Sequence, residues 1–267
     1  MCRSPAVCVC TKPCASVPSE PAAGAQALQS AIAGVRQARH IAVLTGAGVS
    51  AESGVPTFRD AQTGFWAQFR AQDMATPEGF RSHPQRVWDW YQFRRGLVAQ
   101  VQPNAAHRAL ADFALHHPGR MTLMTQNVDG LHQRAGSPQV LCLHGELQRN
   151  RWLDLPCPHC DLENTVDARP PYCGACGNLV RPDVVWFGEP LPLAVLDAAQ
   201  AAARMCDLML VVGTAGAVYP AAGLAHSARA AGARVVVVNT ADSALDDVAH
   251  AVVRGPAAVV LPALLGV

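Results

Sequence analysis

Five short, mostly apolar runs punctuate the chain, at residues 41–44, 121–125, 140–143, 208–212 and 234–238, and each has the length of a strand. None alternates apolar with polar positions, so these are strands expected to be covered on both faces, as in a parallel sheet. The stretches between them read as helices: 25–38, 65–69, 77–101, 105–115, 194–205 and 219–231, with shorter elements on to residue 265. Pro103-Asn104 supplies an N-terminal cap for the helix at 105–115. Trp88, Trp90, Tyr91, Phe93 and Leu97 make 88–97 strongly aromatic, and by default such residues are core. Strand and helix in alternation predict a Rossmann-like, doubly wound parallel α/β sheet.

Composition narrows this picture. A chain of 267 residues, half of them hydrophobic, can bury one large core with a subdomain attached. Its net charge of +1 excludes broad attraction to nucleic acid or to a membrane surface. No run approaches the roughly 18 apolar residues of a membrane span. The start Met1-Cys2-Arg3 leads into no apolar signal segment, and four of the ten cysteines form paired C-x-x-C, so the setting expected is reducing and cytoplasmic. Residues 1–24 show no periodicity and read as a mobile tail; Cys2, Cys8, Cys10 and Cys14 in it match no metal-ligand spacing. A monomer is the default expectation.

Candidate chemistry clusters at the strand ends. The run 41–44 feeds straight into Gly46-Ala47-Gly48-Val49-Ser50-Ala51, a G-x-G-x-x-A turn. Here Gly46 and Gly48 would let the backbone approach a pyrophosphate, and a helix starting near Val49 would aim its free N–H groups at the anion. A lone G-x-G fits a plain strand-to-helix turn equally well. Gly54-Val-Pro56-Thr-Phe58-Arg59-Asp60 then breaks any helix, where a dehydrogenase would continue to a second strand ending in an acid. Gln126, Asn127, Val128 and Asp129 follow the run 121–125 at its carboxyl end, where open α/β sheets bind ligands. Asn127 suits a carboxamide and Asp129 an amide or a ribose hydroxyl, although the same residues could form only a capped turn. His144 follows 140–143 at the same edge and is the candidate general base, while His40, His107 and His132 read as structural or helix-capping. Gly213-Thr214 and Asn239-Thr240 end adjacent strands, where phosphate, ribose and adenine would sit. Cys157-x-x-Cys160 and Cys173-x-x-Cys176 present four thiolates with the spacing of a closed, structural zinc site, and the polar segment between them cannot form a core of its own. Cys142 and Cys206 read as buried small hydrophobes.

The loop GAGVSAESGVPTFRD resembles the signature of the sirtuins, NAD-dependent protein deacylases. TQNVDGLHQRAG, LHGEL, the two C-x-x-C pairs, RPDVVWFGE, VVGTAGAVYPAA and VVNT match in the same order, so the resemblance covers roughly residues 28–265. It implies NAD and Zn²⁺ as cofactors and acylated-lysine proteins as substrates, giving nicotinamide and O-acyl-ADP-ribose. An ADP-ribosyltransferase, or a non-catalytic zinc and nucleotide module, stays open beside it. The Rossmann-like part would take about 25–60, 104–148 and 188–267, a helical module 61–103 and the zinc subdomain 149–187. Cofactor contacts are implied for Gly46, Ala47, Gly48, Ser50, Ala51, Glu52, Phe58, Arg59 and Phe65; for Gln126, Asn127, Val128, Asp129 and His144; and for Gly213, Thr214, Asn239, Thr240 and Ala257. Ala215 and Ala241 fall at cofactor positions where sirtuins commonly carry a serine and an acid. His144 matches the catalytic histidine, with Asn127 and Asp129 holding the nicotinamide ribose. The segment 181–189 would return to the main sheet and pair with the substrate backbone, Val184 and Phe187 lining a tunnel for the lysine stem. Tyr91-x-x-Arg94 resembles the pair that class III members use for the carboxylate of succinyl- or malonyl-lysine; a core tyrosine beside a solvated arginine is the alternative.

Overall fold

The computed structural model describes residues 20–55, 71–154, 156–162 and 165–267. Helix α1 (Glu20–Gln37) precedes strand β1 (Ile41–Thr45) and a 3-10 turn at Ala47–Ser53. Helices α2 (Ala71–Met74), α3 (Pro77–Ser82), α4 (Pro84–Gln100) and α5 (Ala105–His116) lead to β2 (Met121–Thr125). Then come α6 (Leu131–Arg134), β3 (Val140–Cys142), β4 (Gly145–Trp152) and β5 (Val180–Val184). The chain closes with α7 (Leu193–Met205), β6 (Leu208–Val212), α8 (Gly223–Ala230), β7 (Arg234–Asn239), β8 (Ala251–Arg254) and α9 (Ala257–Leu265).

Six strands form one parallel sheet in the order β3-β2-β1-β6-β7-β8. Ile41 and Val43 of β1 pack with α1, α5 and α9 on one face, while Ala42 and Leu44 pack with α7 and α8 on the other. Both faces are dry, which is why the hydropathy of these strands does not alternate. The strand order turns around at β1 and β6, so the loops after these two strands part above their carboxyl ends and leave a crevice.

Several expectations need correcting. Helix α1 begins at Glu20, inside the expected tail. The helix expected over 77–101 is two, broken at His83, because Pro84 cannot donate to the turn before it and instead starts α4. The segment after β1 is a 3-10 helix ended by Gly54 at φ 82°, not an α-helix. Residues 180–184 do not rejoin the main sheet; β5 pairs antiparallel with β4 in a separate ladder that shifts register between Glu146 and Asn150. The helix expected at 65–69 lies outside the described residues.

A third core joins the helical module to this small ladder through Phe80, Trp88, Trp90, Tyr91, Leu147, Val180, Val184 and Trp186. Of the aromatics in 88–97, Phe93 alone is exposed. Arg181 is buried whole at 0% exposure and meets Glu189 with both terminal guanidinium nitrogens, at 2.5 and 2.8 Å. It also donates to the Val184 carbonyl and lies 3.3 Å over the Trp186 ring, fastening the turn at 184–189. No helix among the described residues is long and apolar enough to cross a membrane.

Candidate active site

Above the crevice the loops after β1 and β6 touch backbone to backbone. Gly48 N–H donates to the Gly213 carbonyl at 2.7 Å, and Gly46 N–H to Val212 at 2.9 Å. A Cβ on Gly48 would stand 2.7 Å from Gly213 Cα, and one on Gly213, at φ 62°, would stand 2.4 Å from Val49 N. The glycines therefore serve a close crossing of two loops. This corrects the phosphate-cradle expectation in part, because the N–H groups of Gly48 and Val49 are spent inside the protein. Beside the crossing opens a cleft of about 310 Å³ lined by Gly48, Ala51, Glu52, Gly213, Val238, Asn239, Thr240, Gly255, Pro256 and Ala257. It gathers seven of the expected cofactor residues, together with Gly255 and Pro256 of the same adenine-side segment as Ala257; Val238 is the addition. Ala47, Ala215 and Ala241 are exposed and outside this lining. Thr214 is buried and spans to the next loops, its Oγ1 accepting from Gln126 Nε2 at 3.2 Å and its carbonyl from Asn239 Nδ2 at 3.2 Å. Phe58, Arg59 and Phe65 lie outside the described residues.

A second cluster sits at the ends of β1 and β2. Ser50 Oγ donates to Asp129 Oδ2 at 2.8 Å and accepts from Asn127 Nδ2 at 3.0 Å. The other Asp129 oxygen caps α6 by accepting from Leu131 N–H at 2.9 Å. His144 bridges β3 and β4, with Nδ1 2.9 Å from the Gln126 carbonyl. A carbonyl only accepts, so Nδ1 carries the proton and Nε2 is left with its lone pair. Burial holds the His144 pKa below the usual imidazole value, the Gln126 bond acting against it. The ring is thus neutral near pH 7 and basic at one known atom. Val128 is partly buried against the third core.

The main chain couples this histidine to the 184–189 turn, since Val185 N–H donates to the His144 carbonyl at 2.9 Å. Successive residues of an extended segment face opposite ways. Val184 and Trp186 point into the third core, whereas Val185 packs beside the main-sheet core and Phe187 is 53% exposed. Val184 is therefore a core residue, and Val185 lies on the opposite side of the segment.

Tyr91 is completely buried, and its hydroxyl accepts from Trp186 Nε1 at 2.7 Å. Burial raises its pKa to about 12, so it stays a neutral phenol with a proton to give. Arg94 is partly buried, its guanidinium 5.0 Å over Trp90 and 5.8 Å from the Tyr91 ring centre. The two share one helix face, as their spacing predicts, and Arg94 is no solvated surface residue. Its neighbour Arg95 instead ties α4 to β4 through the carbonyls of Leu147 and Arg149.

Cys157, Cys160, Cys173 and Cys176 bring their sulfurs within 4.8 Å of one another, with edges of 3.2 and 3.5 Å for the pairs 157–160 and 160–176. A tetrahedron of thiolates about 2.3 Å from a zinc ion has edges near 3.8 Å. Four soft donors at this spacing fit Zn²⁺ and leave no coordination position for a reactant. Cys206 is buried as expected; Cys142 is only partly so and accepts from Gln133 Nε2 at 3.1 Å.

A parallel α/β sheet with its cleft at the strand-order reversal, carrying a separate four-thiolate module, defines a Rossmann-like class of nucleotide-site proteins. Within that class the chain belongs to the Sir2 family, whose family model matches residues 46–220. It is 56% identical over 247 residues to a Ralstonia nicotianae protein named NAD-dependent protein deacylase, spanning 92% of this chain and 98% of that one. A Methylococcus capsulatus protein of the same name is 50% identical over 241 residues, spanning 88% and 94%. Among solved structures, a Sir2 homologue in complex with NAD superposes with TM-score 0.77 at 38% identity, covering 89% of this chain and 92% of that one. Sir2Tm bound to a propionylated peptide gives 0.74 at 30% identity, covering 90% and 97%.

Proposed function

We propose that this chain removes acyl groups from protein lysines in an NAD-dependent reaction that yields nicotinamide and O-acyl-ADP-ribose. The observation that carries the reading is the His144 geometry: a neutral ring, its tautomer set by the Gln126 carbonyl, at the same sheet edge as Asn127 and Asp129. NAD, when bound, supplies an activated ribose carbon from which nicotinamide can leave. Asn127 and Asp129 would orient the nicotinamide ribose, held from below by Ser50. His144 Nε2 would take the proton of a ribose hydroxyl, the task of a base matched to neutral pH. The cleft lined by Asn239, Thr240 and Ala257 would hold the adenosine half, and Val185 with Phe187 the stem of the lysine. Zinc at the four cysteines would be structural; thiolate ligands must stay reduced, which supports a cytoplasmic setting.

The acyl preference follows from the helical module. Arg94 beside Tyr91 puts an always-charged planar fork and a neutral phenol on one helix face, the donors that a dicarboxylic acyl group needs. Succinyl- and malonyl-lysine are therefore assigned as substrates beside acetyl-lysine. Incubation with NAD and a panel of acylated peptides, followed by mass spectrometry, tests both parts. Release of nicotinamide with O-acyl-ADP-ribose is expected, fastest for acidic acyl groups. ADP-ribosylated protein in place of O-acyl-ADP-ribose would replace the reading by a transferase.

A further inference from the structure

Behind the cluster lie two buried histidines that the proposed chemistry does not use. His107, in the first turn of α5, and His132, in α6, are 0% and 1% exposed, with ring centres 4.7 Å apart. His107 Nδ1 lies 3.1 Å from Asn104 Oδ1 and 3.3 Å from the Asn104 N–H. Because Oδ1 already accepts from the N–H groups of Ala106 and His107 while the Asn104 N–H can only donate, the capping box is read with Nδ1 as acceptor and the proton on Nε2, 3.3 Å from Ser50 Oγ. Ser50 is then used to capacity: it accepts from His107 and Asn127 and donates to Asp129. The opposite tautomer would draw the Ser50 proton to His107 and take it from the Asp129 carboxylate.

His132 works from the other side. Thr45 Oγ1 donates to Thr125 Oγ1 at 2.8 Å, so what it offers His132 Nε2, 2.9 Å away, is a lone pair, and His132 is the donor. Thr125 Oγ1 in turn accepts from the backbone N–H of Asn127 at 3.0 Å. His132 Nδ1 has no partner among the described residues although it is buried, so the ring leaves one acceptor unmet while making that single donation. Burial pushes His107 down to about 4, against the pull of Asp129, and His132 down to about 3. Both are neutral N–H donors wherever the site operates.

We propose that His107 and His132 are positioning residues for the reaction, holding Asn127 and Asp129 in place through Ser50 and through the Thr45–Thr125 pair without adding positive charge. An imidazolium here would claim the carboxylate of Asp129; a neutral ring leaves that charge for the cofactor. The proposal rests on the functional reading above and deepens it. His107→Gln and His132→Gln keep an amide near the Nε2 position, whereas His107→Asn and His132→Asn reach only the Nδ1 position.

In the full chain, the Asn variants are expected to lower kcat for nicotinamide release by about tenfold or more with KM for acylated peptide within about threefold, and the Gln variants to recover to within about threefold. In a Ser50→Ala background the difference between His107→Asn and His107→Gln should vanish while that at His132 persists. Equal losses for Asn and Gln, or losses that simply track the melting temperature, overturn the proposal. Histidine ¹⁵N NMR of the parent chain gives a readout independent of turnover: both rings should be neutral Nε2–H tautomers from about pH 6 to 8, and an Nδ1–H tautomer at either overturns it. A chain with the expected tautomers that releases no nicotinamide would fail the functional reading instead, with the hydrogen-bond chain upheld.

Discussion

In the main sheet, 41–44, 208–212 and 235–238 bury every side chain, while between Pro156 and Asn178 only Pro170 and Cys173 are buried among the described residues. One region is held by apolar area removed from water, the other by four sulfurs within 4.8 Å. The difference teaches that stability in this chain is not one quantity. The sheet can fold on its own chemistry, whereas the cysteine module has little but a metal to offset the entropy of ordering it.

The largest expected effect is on the module. A strong chelator, or Cys157→Ser with Cys173→Ser, should release 156–178, because structural zinc typically contributes about 10–16 kcal/mol. Hydrogen exchange should quicken there while the strands β1, β6 and β7 stay protected, and activity should fall because the adjoining groove loosens. Unchanged protection in 156–178 after zinc loss would erase the contrast.

His144 lies at the joint of the two regions, so His144→Ala should cost ~10²–10⁴-fold in kcat/KM with both regions intact. Because its pKa lies below the imidazole norm, Nε2 stays free as pH falls through that norm, and the rate should drop only lower, as pH passes the depressed folded value. A rate loss centred at the ordinary histidine value would place the ring in water. Next comes Leu210→Ala, fully buried, expected to cost about 2–5 kcal/mol in denaturant unfolding with zinc retained. Leu162→Ala, 41% exposed in the module, should stay within about 0.5 kcal/mol. Comparable costs for the two leucines would remove the distinction.

The smallest effect expected on catalysis sharpens the comparison at the helical module. Arg94→Met should lower kcat/KM for succinyl-lysine at least tenfold, about 1.4 kcal/mol, and leave acetyl-lysine nearly unchanged. Equal losses for both acyl groups would make Arg94 a packing residue over Trp90.

Legibility in the sequence followed the same division. Strands β2 and β6 were readable to the residue, since a two-sided apolar run ending in glycine or a polar turn has few other meanings. The four cysteines were readable from spacing alone. The pairing of 180–184 was not, because Arg-Pro-Asp looks unlike a strand until Arg181 is seen neutralised by Glu189. The break at His83 was written in Pro84, but the aromatic run beyond it masked the signal. Ser50, His107 and His132 join partners 57 to 87 residues away, and no local period announces such bonds. That Val184 turns into the third core and Val185 away from it was not legible either, because a motif gives order along the chain but not the face of the strand.

One rung carries a practical lesson. The carbonyl of His144 receives the N–H of Val185, so the proposed base and the proposed peptide groove are fixed in a single frame. A chimera that grafts another family member's groove at 180–189 would import a foreign spacing for the base. The exchangeable cassette must therefore run from the end of β3 through β5 to Glu189, cut in the sheet and not at the motif.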